Sequence, residues 1–77
     1  MASNYHNLKG ALATEKGRKF SSRREVLSWI KTLLKKGLTH HFHQRDEDEA
    51  ANAAWDEALE YGYLTIDKRF GHIVVST

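Results

Sequence analysis

The chain has 77 residues, a formal net charge of +2 and no cysteine. A length of this order makes one small domain with a marginal core, and without cysteine neither a disulfide framework nor a thiolate zinc site can brace it. No apolar run reaches the length of a signal peptide or a membrane span, so a cytoplasmic protein is expected. The charge is unevenly placed: residues 1–45 carry +8 and residues 46–77 carry −6. Such asymmetry provides one face for phosphate and another that repels it, or else two solvated faces that keep a small protein soluble.

In chain order, "NYHNLKGALATEKG" holds Tyr5, Leu8 and Leu12 at i, i+3 and i+7, the spacing of a short first helix. Gly10 opposes that helix by about 1 kcal/mol relative to alanine. The basic "GRKF" that follows reads as a connector, which divides the chain into an N-terminal segment, 1–19, and a main domain, 20–77. "SSRREVLSWIKTLLKKG" is a stronger helix. Ser22 and Glu25 have the spacing of a capping box, and Gly37 can take the left-handed conformation that ends a helix. Val26, Leu27, Trp29, Ile30, Leu33 and Leu34 form its apolar stripe, with Arg24, Lys31 and Lys35 on the opposite side.

Leu38, His40 and Phe42 alternate with polar residues as in a short strand over 38–43. Asp46 then caps a second strong helix with Ala51, Ala54, Trp55, Ala58 and Leu59 inward, Glu49, Asp56, Glu57 and Glu60 outward, and Gly62 as its stop. The C-terminal "YLTIDKRFGHIVVS" reads as a hairpin turning at Lys68–Gly71. Ile66 faces Ile73 and Leu64 faces Val75 on one shared face. A two-stranded hairpin is not stable alone, so it must pack on the helices and is expected to pair with the 38–43 strand.

These parts define a small α+β domain of two or three helices, a short strand and a C-terminal β-hairpin. That assembly resembles a winged-helix domain. "EVLSWI" (Glu25–Ile30), with Phe20 upstream, and "AANAAWDEALEYGYL", with Ala51 and Gly62 at the expected separation, are similar to two elements of the DEP branch of that superfamily. The resemblance spans roughly residues 20–75 and implies a non-catalytic module that docks on proteins or membranes in signalling.

Candidate chemistry is sparse. A second long helix with an acidic outer face is repelled by a phosphate-lined groove, which argues against major-groove reading. Nucleic acid would instead meet Lys16, Arg18 and Lys19 on the connector, Arg24, Lys31 and Lys35 on the first strong helix, and Lys68, Arg69 and Phe70 at the turn. The alternative is a protein-interaction module or inhibitor, DEP-like or a phage-type accessory protein. It would dock on a larger protein through Glu49, Asp56, Glu57, Glu60 or Phe70, with self-association as a further option. His41 and His43 share a strand face, but a zinc site wants three or four ligands, so a histidine face without metal is the commoner meaning of such a pair. No catalytic constellation or phosphate-cradling loop occurs, and neither an enzyme nor a cofactor is expected.

Overall fold

A computed structural model describes residues 7–38 and 46–77. They form an α+β, winged-helix-like domain: α1 (Leu8–Ala13), β1 (Lys19–Phe20), α2 (Arg23–Lys35), α3 (Glu47–Glu60), β2 (Leu64–Ile66) and β3 (Ile73–Val75). The sheet is antiparallel in the order β1-β3-β2.

Each helix begins where a short polar side chain answers an orphan backbone amide. The side-chain oxygen of Asn7 accepts from Gly10 N at 2.8 Å, Ser22 Oγ from Glu25 N at 3.3 Å and Asp46 Oδ1 from Glu49 N at 2.9 Å. Glu25 completes the capping box one residue early, its Oε1 accepting from Ser21 N at 2.8 Å. Helices α2 and α3 end in the same way. Leu38 N donates to Leu33 O and Tyr63 N to Ala58 O, five residues back, while Gly37 N reaches Leu34 O and Gly62 N reaches Leu59 O. Both glycines have positive φ, 121° and 79°, so each closes a Schellman motif that an L side chain would strain.

That motif corrects the expected strand over 38–43 at its first residue. Leu38 is the buried residue that follows the α2 cap and packs back on the helix it ends; residues 39–43 lie outside the described residues. The strand that pairs with the hairpin comes from the segment read as a connector. Lys19 pairs with Val74 and Phe20 with Ile73, and Gly17 N and Val75 N extend the ladder through Val75 O and Arg18 O. Two residues are too few for a period-2 pattern, so nothing local marked them as a strand.

One core joins all six elements. Leu8 and Leu12 of α1 lie in it with Phe20, with Val26, Trp29, Ile30 and Leu33 of α2, with Ala51, Ala54, Trp55 and Ala58 of α3, and with Leu64, Ile73 and Val75 of the hairpin. The alanine face of α3 lets α2 approach closely and Trp55 fills the remaining gap, while Leu27, Leu34 and Leu59 pack at the margin. Burying one such leucine, isoleucine or valine contributes about 1.5–3 kcal/mol. The hairpin has the expected register, Leu64 with Val75 and Ile66 with Ile73. Ile66 is nevertheless 44% exposed: it shares a row with Ile73, but β2 is an edge strand and Ile66 is its last residue before the turn.

Candidate nucleic-acid interface

The cations of the first half do not form one free surface. On α2, Lys31 Nζ lies 2.5 Å from Asp48 Oδ1, and Lys35 Nζ lies 3.9 Å from Glu47 Oε2. Both lysines therefore face the first turn of α3, and the expected outward row of Arg24, Lys31 and Lys35 is divided. The reason is tertiary: α2 packs along α3 with its C-terminal half beside the carboxylates that cap α3. The partnership with Asp48 raises the Lys31 pKa. Arg23 is held from the same side, donating to Asn52 Oδ1 with its guanidinium 5.5 Å from the Trp55 ring centre.

Arg24 belongs to a different surface. An open groove of about 750 Å³ runs between α2 and the α1–β1 segment. Its α2 wall includes Arg24, Ser28, Thr32 and Lys36, its opposite wall includes Thr14 and Lys19, and its floor holds Phe20 and Trp29. The two rings lie 5.2 Å apart, centre to centre, with the Arg18 guanidinium 4.7 Å from Phe20 and 5.4 Å from Trp29. A cation over two ring faces is attracted by their quadrupoles.

The groove's two carboxylates are already engaged. Glu15 pairs with Arg18 at 3.2 Å. Glu25 takes the Ser21 amide, which holds its carboxyl below the usual pKa, with Arg18 a weaker contributor. Lys19, Arg24 and Lys36 have no ion-pair partner among the described residues. Lys36, Ser28 and Thr32 were not singled out in the sequence. Their signal was the spacing Arg24, Ser28, Thr32, Lys36, a row at i, i+4, i+8 and i+12.

The turn of the hairpin forms a second exposed feature. Asp67 N donates to His72 O and Gly71 N to Asp67 O, both at 2.7 Å, and Asp67 Oδ1 accepts from Arg69 N at 2.9 Å. Gly71 has φ 74°, as a tight reversal requires. Phe70 stands out from this frame, 67% exposed, with its ring stacked 6.1 Å from His72 and the Arg69 guanidinium 5.6 Å from its centre. Lys68 is exposed beside it. Because Phe20 pairs with Ile73, the residue after His72, the groove floor and the base of the turn are neighbours across the sheet.

On α3, Glu49, Asp56 and Glu60 are exposed and Glu57 is half-buried; Tyr61, at the C-cap, is 62% exposed. Lys16 is exposed between α1 and β1. His41 and His43 lie outside the described residues. Among the described residues no helix is long and apolar enough to cross a membrane. No protein-family model, curated protein or solved structure matches the chain.

Proposed function

We propose that this domain is a small non-enzymatic regulator that binds nucleic acid. It does so through the groove cations Arg18, Lys19, Arg24 and Lys36, with Lys16 at the margin and Lys68, Arg69 and Phe70 as a second contact. The observation that carries the reading is the groove. Three of its cations have no carboxylate partner among the described residues, and hydroxyls stand between them on α2. Contacts of this type give salt-sensitive affinity that depends little on sequence. Lys31 and Lys35, tied to α3, serve the fold in this reading. The lack of cysteine suits work in a reducing cytoplasm.

Retention on immobilised DNA and RNA at rising salt tests the proposal. Arg24→Glu with Lys36→Glu should abolish retention at moderate salt, whereas Lys31→Ala with Lys35→Ala should leave it close to wild type. A wild-type chain that elutes with the void at low salt from both matrices rejects the proposal.

A second reading is favoured by the exposure of Phe70 at the turn and of Tyr61 at the end of the carboxylate-rich helix α3. In it the domain is a docking module or inhibitor, in the DEP or phage-accessory manner, and Phe70 fills a pocket on a larger protein. Phe70→Ser would then abolish capture of that protein, while the groove substitutions would not.

A further inference from the structure

We infer that the nucleic acid held here is a single strand with unpaired bases, its backbone lying in the α2 groove and one base stacked on Phe70. This rests on the nucleic-acid reading above and names the substrate class of the same surface.

The shape of the groove is the first reason. Its polar row runs from Arg24 to Lys36, about 18 Å at ~1.5 Å per helical residue. Ser28 and Thr32 lie between those two cations, below the level that long charged side chains reach. A duplex is convex, and one turn of it is about 34 Å long, so it would rest on the rim. A single strand can descend, placing a phosphate oxygen on the Ser28 hydroxyl with Arg24 and Lys36 at either end; Thr32 Oγ1, which donates to Ser28 O at 3.1 Å, would exchange that bond for a phosphate.

The helix that would otherwise enter a duplex is the second reason. The solvent face of α3 carries Glu49, Asp56 and Glu60, and carboxylates are repelled from a groove walled by phosphates.

The turn provides the third. Phe70 is 67% exposed, with Arg69 over its ring and His72 stacked against it. An aromatic platform of this kind takes a base whose face is free, which a single strand offers and an intact duplex does not. Phe20 on the groove floor pairs with Ile73, the residue after His72, and the chain runs from Phe20 into the N-terminal end of α2, which carries Arg24. In this arrangement a strand leaving the groove at the Arg24 end continues across the sheet to Phe70.

Fluorescence anisotropy with a mixed-sequence single-stranded oligonucleotide, and with the same oligonucleotide annealed to its complement, tests the inference at one fixed low salt. The single strand should bind at least on the order of tenfold more tightly, and Trp29 emission should change as the groove fills. Phe70→Ser should weaken single-strand binding on the order of tenfold, the value of one base–aromatic stack, weaken duplex binding less, and leave melting unaltered. Ser28→Ala with Thr32→Val gives an independent arm inside the groove and should also weaken the single strand selectively. Equal or tighter binding of the duplex, or single-strand binding indifferent to both variants, overturns the inference while leaving nucleic-acid binding intact. Failure of both oligonucleotides to bind removes the underlying reading as well.

Discussion

Trp29 and Trp55 are nearly buried, at 9% and 7% exposure, and each is covered on its outer side by an arginine, Arg18 over Trp29 and Arg23 over Trp55. They close the core at places where smaller side chains would leave gaps. Trp29→Ala and Trp55→Ala should each cost about 3–5 kcal/mol, most of the stability of so small a domain, and chemical denaturation will measure it. Ser22→Ala should cost about 1 kcal/mol through loss of the α2 cap. Glu25 gives this cap a pH dependence. Its folded pKa lies below the unfolded one, so its contribution is complete above the ordinary carboxylate range and is lost as pH falls through the lowered value. Glu25→Gln should therefore narrow the stability difference between neutral and acidic pH, as read from melting temperatures across that range.

Between elements, the α2–α3 contact joins an apolar seam to ion pairs at its edge. Lys31 has a raised pKa because of Asp48, so the contribution of this pair is present below the ordinary lysine range and fades only at strongly alkaline pH. Both partners are solvated, and such pairs are weak and screened by salt. Lys31→Ala should lower the melting temperature slightly at low salt and leave it unchanged at high salt. The hairpin separates fold from contact more cleanly. Leu64, Ile73 and Val75 are buried, whereas Lys68, Arg69 and Phe70 lie outside the core. Replacing those three together by serine should leave melting nearly unchanged while weakening nucleic-acid binding. A large fall in melting temperature would show that the turn itself supports the sheet.

Across the molecule, the contrast between +8 and −6 in the two halves of the chain is partly consumed where the halves meet. Lys31 and Lys35 meet Asp48 and Glu47, and none of these four residues lines the groove. Among the described residues, the cations left to act on a polyanion are those of the groove and the turn, with Lys9 and Lys16 exposed on the N-terminal segment. Each phosphate contact removed should reduce the slope of log K against log salt by ~0.7 for a single strand. Arg24→Ala and Lys36→Ala should each do so, while Lys31→Ala and Lys35→Ala should not, in titrations over a series of salt concentrations.

Local and periodic features of this protein were written in the residues themselves. The Ser22 and Asp46 caps, the stripes carrying Trp29 and Trp55, the glycine stops and the hairpin register all depend on neighbours a few positions away, where sequence spacing is spatial spacing. The α+β class followed from them, as did the exposure of the "KRF" tip. The rest was decided by contacts distant in sequence. Lys19 and Phe20 became a strand because Ile73 and Val74 lie open beside them, and Ile66 stayed half-exposed at the end of an edge strand. Lys31 and Lys35 reach carboxylates of α3 while still in contact with solvent, although their place on the helix wheel matches that of Arg24. A helix wheel gives the direction of a side chain from its own axis; what stands in that direction is determined only when a second helix packs there.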